Sequence, residues 1–131
     1  MAGRKSSTFT EVELEFMQIF WEHGEMSSEE IQNILHTQGR ELTDGTIRKV
    51  LGILLKKGHL KRERRGRSFY YLPSEVKEKA NGRMILDLLN RAFSGSIPSM
   101  VATLLDCRDL KPDDLEAIKM MIIEHEKEEL N

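Results

Sequence analysis

The amino-acid sequence predicts a mainly α-helical protein with a small β-hairpin, divided into two domains at residues 8–75 and 76–131. Apolar residues recur every three or four positions along most of the chain, as they do on the buried face of a helix. This period changes to roughly two on either side of Arg65-Gly66-Arg67, which is typical of a hairpin. Cations concentrate around the hairpin and acids towards the C-terminus, so the two domains should differ in their partners.

The first two helices are marked by caps at both ends. Residues 10–13 fit a capping box, in which a hydroxyl and a carboxylate satisfy unpaired amides at a helix start. Residues 27–30 offer a second such box. Gly24 and Gly39 are placed to end the two helices.

The third helix is predicted to begin near Thr43 and to end at Gly58. Its core-facing positions follow helical spacing: Ile47, Val50, Leu51, Leu54 and Leu55. The side chains left off the core face, and available to a ligand, are Thr43, Asp44, Thr46, Arg48, Lys49, Gly52 and Lys56. This polar side is therefore the candidate recognition surface.

The predicted hairpin joins residues 60–64 to residues 68–72 through a turn in which Gly66 supplies a positive φ. Pro73 closes its second strand. Its cationic side chains are Arg62, Arg64, Arg65 and Arg67. The expected aromatic anchors of the first domain's core are Phe20, Trp21 and Phe69.

Charge is distributed unevenly along the chain, although the formal net charge is only −2. Between Arg48 and Arg67 there are nine Lys/Arg and one acid, Glu63. Residues 1–83 contain 15 Lys/Arg and 12 Asp/Glu, whereas residues 84–131 contain 5 and 10. Exposed charges interact over about 8 Å at physiological salt, so a local patch matters more than the total. The patch favours a nucleic-acid partner, although such a run is also often a solvated face.

Three helices followed by a basic hairpin form the arrangement of a winged helix-turn-helix, which reads a DNA groove and grips phosphate. We expect Thr46, Arg48 and Lys49 to reach base edges and nearby phosphates, because arginine can bond guanine bidentately. The hairpin arginines suit phosphates or the minor groove, where they add affinity more than sequence choice. This predicts binding to double-stranded DNA.

The second domain carries more apolar surface than its short helices can bury among themselves. The economical solution is a two-fold homodimer, which would place two recognition helices about 34–36 Å apart on an inverted-repeat operator. The predicted dimerisation residues are Met84, Leu88, Leu89, Phe93, Met100, Val101, Leu104, Leu105, Leu115, Ile118 and Ile122.

Other classes of protein find little support in the sequence. No run approaches the roughly 18 apolar residues of a membrane span, and the N-terminal segment lacks the apolar core of a signal peptide. The single cysteine, Cys107, suits a reducing cytoplasm. The four histidines lack metal-ligand spacing, and no nucleophile–base pair stands out. We expect no metal, no cofactor and no enzymatic activity.

One alternative interpretation stays open, in which the winged helix binds an acidic protein partner instead of DNA. That interpretation predicts an exposed apolar patch on the first domain, for which the sequence offers no strong candidate. A structure in which Arg48 or Lys49 is buried against the hairpin would favour it.

The chain resembles the penicillinase-repressor family, the BlaI/MecI-type regulators, which also includes copper-transport repressors of the CopY type. The similarity runs from Thr10 to about Glu126. It rests on the segments TEVELEFMQIFWEHGEMSSEEI, TIRKVLGILLKKGHL, RGRSFYYLP and LLNRAFSGSIPSMVATLLDCRDLKPDDLEAI. The resemblance implies an operator-bound homodimer with an N-terminal winged helix and a C-terminal dimerisation domain. For the well-known members it also implies a membrane sensor-protease that cleaves the repressor in response to β-lactam.

Departures from the family pattern limit what the resemblance implies. Lys49 stands where members typically have a second threonine, and Gly52-Ile53 replaces a polar-Arg pair, so the family's operator cannot be assumed. Thr103-Leu104 aligns with the Asn-Phe bond cleaved in the β-lactam repressors, which argues against induction by proteolysis there. The copper repressors carry paired Cys-x-Cys motifs, and Cys107 alone excludes that mode of sensing.

Overall fold

The structure, a computed structural model, describes residues 8–107 and 109–130. The elements follow in the order α1 (Glu11–His23), β1 (Met26–Ser27), α2 (Ser28–Thr37), α3 (Asp44–Lys56), β2 (Leu60–Arg65), β3 (Ser68–Pro73), α4 (Lys77–Phe93), α5 (Ile97–Cys107) and α6 (Pro112–Leu130). The prediction of a mainly helical chain with a small β-hairpin is confirmed. The side chain of Cys107, and most of the N-terminal segment considered as a signal peptide, lie outside the described residues.

The predicted helix caps are present with the expected hydrogen bonds. At the start of α1, the Glu13 amide donates to Thr10 Oγ1 at 3.1 Å, and the Thr10 amide donates to Glu13 Oε1 at 3.2 Å. Ser27 and Glu30 form the same reciprocal pair at the start of α2. Thr43 caps α3 through its hydroxyl. Each cap is worth about 1 kcal/mol, so the local sequence alone fixes where these helices begin.

The sheet has three antiparallel strands in the order β1-β3-β2, one more than the hairpin predicted. The additional strand has two residues, Met26 and Ser27, which pair with Tyr71 and Tyr70 of β3. A strand of this length shows no period in the sequence, and only its pairing with β3 identifies it. Its effect is to join the hairpin to the segment between α1 and α2.

The hairpin turn agrees with the prediction. Strand β2 ends at Arg65 and β3 begins at Ser68, and these two residues are paired across the ladder. Gly66, the first residue of the two-residue loop, has φ +63°, as a type II′ turn requires at that position. We call the hairpin of residues 60–73 the wing.

The core of the first unit is shared by α1, α2, α3 and the base of the wing. Its buried hydrophobic members are Phe16, Met17, Ile19, Phe20, Met26, Ile31, Leu35, Ile47, Val50, Leu51, Leu54, Leu60 and Tyr71. Trp21 packs at the edge of this core, and its indole N–H donates to the Glu75 carbonyl oxygen at 3.1 Å. The prediction of Phe69 as a core anchor was wrong, because its side chain is 38% exposed. Tyr71, closer to the base of the wing, fills that role.

The chain divides into two compact units, one ending at Asp87 and the next starting at Leu88, so the division falls within α4. The domain boundary expected after residue 75 stays a prediction. In the second unit many apolar side chains are exposed: Leu88, Ile97, Val101, Leu104, Leu105, Leu115, Ile118, Met120, Met121, Ile122, Ile123 and Leu130. Helix α6 buries none of its described residues.

A buried carboxylate links the start of α1 to the end of α3. Lys57, which caps α3, donates to both carboxylate oxygens of Glu13, at 2.8 and 2.9 Å. The Glu13 side chain is 7% exposed and that of Lys57 is 31% exposed. Burial alone raises the pKa of Glu13, but hydrogen bonds from Lys57 and from the Thr10 amide outweigh burial and hold the pKa below its usual 4.5.

The Glu13–Lys57 pair should make stability depend on pH in the acid range. Because the pKa is lower in the folded state, the carboxylate stabilises the fold above the unfolded-state pKa, and this contribution is lost as the pH falls through the folded-state value. We expect Glu13→Gln to lower the free energy of unfolding by about 1–3 kcal/mol at neutral pH. Urea titrations followed by Trp21 fluorescence should show this difference shrinking as the pH falls below about 5. A difference that is constant with pH would contradict the ionic role of Glu13.

Candidate nucleic-acid interface

The outer side of α3 is open to solvent along its whole length. The seven predicted recognition residues are all exposed: Thr43, Asp44, Thr46, Arg48, Lys49, Gly52 and Lys56. The opposite stripe, centred on Leu51 and Leu54, is buried, so the helix cannot rotate without exposing its core side. The cations of α3 are therefore presented outwards by the packing of the apolar residues between them.

Arg48 is held by a neighbour on its own helix. Its Nε lies 3.0 Å from Asp44 Oδ2, one helical turn earlier, and the two side chains form an ion pair. This contact uses the inner nitrogen of the guanidinium, Nε. Because Arg48 and Lys49 are both exposed, the condition that would have favoured the protein-partner interpretation is not met.

A groove of about 550 Å³ lies between α3, the start of α2 and the wing. Its lining residues are Ser27, Ser28, Glu29, Arg48, Gly52, Leu55, Arg62, Arg67, Ser68, Phe69 and Tyr71. Three arginines and one carboxylate face this space, which makes it attractive to an anion. The structure thus brings Arg48 and Gly52 of α3 together with Arg62 and Arg67 of the wing.

The other predicted wing residues lie outside the groove lining. Arg64 is exposed near the wing tip, where its Nε donates to the Gly66 carbonyl oxygen at 3.1 Å. Its guanidinium carbon lies 5.8 Å from the centre of the Phe69 ring, and that of Arg62 lies 4.2 Å from the same ring. Phe69 therefore supports two cations by cation–π contact at the edge of the groove.

Arg65 has acidic partners instead. It forms ion pairs with Glu25 and with Glu63, the latter at 3.1 Å, and its guanidinium carbon lies 5.0 Å from the centre of the Tyr70 ring. Hydrogen bonds to Glu63 and then to Glu25 raise the pKa of Arg65 above its usual value. Its charge is thus compensated within the molecule.

Sequence reasoning missed Phe69 and Ser28 as groove residues and Glu25 as the partner of Arg65. The signal for Phe69 was present, since it lies two positions from Tyr71 and so on the same face of β3. Glu25 and Ser28 gave no such signal, because their position beside the wing depends on β1, which is too short to predict.

Among residues 8–107 and 109–130, no three His, Cys, Asp or Glu side chains are grouped so that they could hold a metal ion. No helix there combines the length and the apolar character needed to cross a bilayer.

Comparison with known proteins agrees with the geometry. The family model described as penicillinase repressor matches residues 9–124. The penicillinase repressor of Bacillus licheniformis is 28% identical over 129 residues, covering 93% of this chain and 94% of that protein. The methicillin resistance regulatory protein MecI of Staphylococcus aureus (strain Mu50) is 26% identical, covering 90% and 95%. The solution structure of the DNA-binding domain of the repressor BlaI matches with a TM-score of 0.51 and 30% identity, over 56% of this chain and 89% of that one.

Gly52 leaves the groove side of α3 without a side chain, and an added Cβ there would meet no atom within 4 Å. We expect Gly52→Ala to raise the free energy of unfolding by about 0.5–1 kcal/mol, because alanine loses less backbone entropy in a helix. The matched control is Gly39→Ala, which also meets no atom but has φ +79° and should lower stability by about 1–2 kcal/mol. Urea denaturation of both variants measures the change in the free energy of unfolding. Changes of the same sign in the two variants would contradict this account.

Proposed function

Since this chain belongs to the penicillinase-repressor family of transcriptional repressors, we propose that it acts as a homodimer on an inverted-repeat DNA operator. In this proposal α3 enters the major groove and the wing lies on the sugar–phosphate backbone. The protein works in the cytoplasm, has no catalytic activity and needs no cofactor.

The observation that carries the proposal is that the exposed cations of α3 and those of the wing line one groove. Arg48 belongs to α3, and Arg62 and Arg67 belong to the wing, more than ten residues further along the chain. Cations scattered by chance over a solvated surface would not be expected to converge in this way. A groove with this charge suits a polyanion that contacts both elements at once.

Sequence choice is assigned to α3. Arg48 is the candidate for bidentate recognition of guanine, worth about 1–3 kcal/mol of discrimination per base pair. Asp44 positions Arg48 through the 3.0 Å contact, while Thr46 and Lys49 reach neighbouring bases or phosphates. Thr43, Gly52 and Lys56 complete the surface, and Gly52 allows the helix backbone to approach the DNA closely.

Affinity is assigned mainly to the wing, where Arg62, Arg64 and Arg67 are placed on phosphates. If each subunit neutralises three to five phosphates, the dimer should show a slope of log affinity against log salt of about −5 to −9. A slope near −2 would contradict the role of the wing as a backbone clamp.

Dimerisation is assigned mainly to the second unit, with Met84 at the end of the first. Of the residues proposed for the interface, Leu88, Val101, Leu104, Leu105, Leu115, Ile118 and Ile122 are exposed in the single chain, Met84, Phe93 and Met100 are half-buried and Leu89 is buried. Apolar surface of this extent on a monomer marks an interaction site. A second copy as partner would also place two recognition helices on the proposed inverted repeat.

The inducing signal is not assumed to be that of the relatives. Thr103 and Leu104 lie inside α5, and Thr103 Oγ1 donates to the Ser99 carbonyl oxygen at 3.0 Å. Proteolysis favours exposed loop tips over ordered helices. We therefore include the membrane sensor-protease only as a partner implied by the family resemblance.

The function is tested by selection from random duplex DNA with the purified protein, combined with a salt titration. We expect an inverted repeat whose half-sites lie about one helical turn apart. Weak, salt-insensitive binding without an enriched sequence would overturn the proposal and favour a protein partner.

The division of roles between α3 and the wing predicts that substitutions at two arginines weaken DNA binding in different ways. Arg48→Ala should weaken binding to the selected operator by about 5- to 150-fold for each half-site of the dimer, and binding to random DNA much less. Arg64→Ala should weaken both about equally and make the salt slope shallower by about 2 per dimer. Fluorescence anisotropy at several salt concentrations measures both effects.

The matched control for these arginines is Arg40→Ala, since Arg40 is paired with Glu15 of α1 and lies outside the groove lining. It should leave the ratio of specific to random binding unchanged. If Arg40→Ala and Arg48→Ala lowered the affinity for the selected operator, relative to random DNA, by the same factor, Arg48 would not recognise bases.

The dimer is tested by introducing a charge on α5. Leu104 is 59% exposed in the single chain, so Leu104→Glu should fold and should sediment as a monomer at micromolar concentration. Val76→Glu, at another exposed apolar position in the first unit, should remain a dimer. Analytical ultracentrifugation that found the unmodified protein monomeric, or the two variants alike, would refute the interface.

A further inference from the structure

The register of the wing separates its arginines onto two faces. Arg62 is paired with Tyr71 and Arg64 with Phe69, whereas Glu63 is paired with Tyr70. Residues paired across a ladder project to the same side of the sheet, and successive residues project to opposite sides. Arg62, Arg64, Phe69 and Tyr71 therefore share one face, and Glu63, Arg65 and Tyr70 share the other.

The first of these faces is directed to the groove. Tyr71 is buried at its base, and Arg62, Phe69 and Tyr71 all belong to the groove lining. Arg62 on this face therefore lines the same groove as Arg48.

The opposite face holds a cluster of charges that is complete within the protein. Arg65 lies between Glu63 of its own strand and Glu25, which precedes β1 and is 40 positions away in the chain. Tyr70 lies beneath its guanidinium. The planar fork of arginine suits it to bridge two carboxylates and to stack on a ring at once.

We propose that Arg65 is a positioning residue, which braces the wing against Glu25, and that it does not bind phosphate. This inference rests on the proposed DNA binding and revises one of its expected contacts. Two carboxylates surround one guanidinium, so drawing Arg65 towards a phosphate would leave Glu25 and Glu63 uncompensated beside the DNA. The brace acts near the tip of the wing, beyond the two residue pairs that join β1 to β3.

Lysine substitutions separate a phosphate contact from a brace. A lysine binds phosphate as a point charge but lacks the fork that bridges two carboxylates. Arg64→Lys should therefore retain more of the binding to the selected operator than Arg64→Ala does. Arg65→Lys and Arg65→Ala should both weaken binding by about two- to five-fold, the range of an exposed ion-pair network, with the salt slope unchanged. A slope made shallower by about 2 in Arg65→Ala would overturn the proposal.

The substitution Glu25→Gln distinguishes the two roles by the sign of its effect. If Arg65 were a phosphate ligand, removing Glu25 would release it and tighten DNA binding. If Arg65 braces the wing, Glu25→Gln removes the carboxylate that holds Arg65. DNA binding should then weaken to the same extent as in Arg65→Ala, and the double variant should show no further loss. Glu22→Gln, an exposed acid on α1, is the control for removal of one negative charge.

Amide hydrogen exchange of the full chain without DNA gives a second readout that does not depend on the proposed function. Exchange in residues 60–73 should be faster by about two- to five-fold in Glu25→Gln and unchanged in the control Glu22→Gln. Unchanged exchange in Glu25→Gln would also overturn the brace. If the unmodified protein bound no DNA, the proposed function would fail, while the exchange rates would still decide whether Arg65 fixes the wing.

Discussion

Burial of Ile47, Leu51 and Leu54 along one side of α3 is the constraint on which the rest of the first unit depends, because α1, α2 and the base of the wing all pack on the same core. A helix with one side fixed in this way has its opposite side determined as well. The cations of α3 are exposed because they lie on the side of the helix opposite the buried stripe. The Glu13–Lys57 pair then fixes the end of the helix to α1, so that both the rotation and the tilt of α3 are held.

The charges of the protein illustrate why position matters more than number. A chain with a net charge of −2 can still present a cationic groove, since the acids of the second unit are far along the chain from Arg48 and Arg62. Within the wing, one of four arginines is compensated by Glu25 and Glu63. The number of arginines therefore overestimates the number of contacts with DNA. An estimate of those contacts has to leave out each guanidinium that is already paired with carboxylates of the protein.

The parts of the structure that the sequence predicted are those governed by local chemistry. The caps at Thr10, Ser27 and Thr43 involve residues three positions apart, and the buried stripe of α3 is a helical repeat. The exposed groove side of α3 followed from the same repeat. The features that the sequence did not predict depend on contacts between residues far apart in the chain. Strand β1 forms because it pairs with β3. Phe69 is exposed because the wing extends past the core. The position of Glu25 beside Arg65 likewise could not be found from residues near either one.

Side chains along the wing strands alternate between the groove face and the opposite face, and this limits which sequence changes the wing can accept. Substitutions on the groove side can change the number of cations there without touching the cluster around Arg65. Insertion or deletion of a single residue in β2 is different, because it exchanges the two faces: the braced arginine would point into the groove and the groove arginines away from it. Relatives of this protein should therefore tolerate changes of residue in β2 far better than changes in its length. When β2 does change in length, the change should come in steps of two.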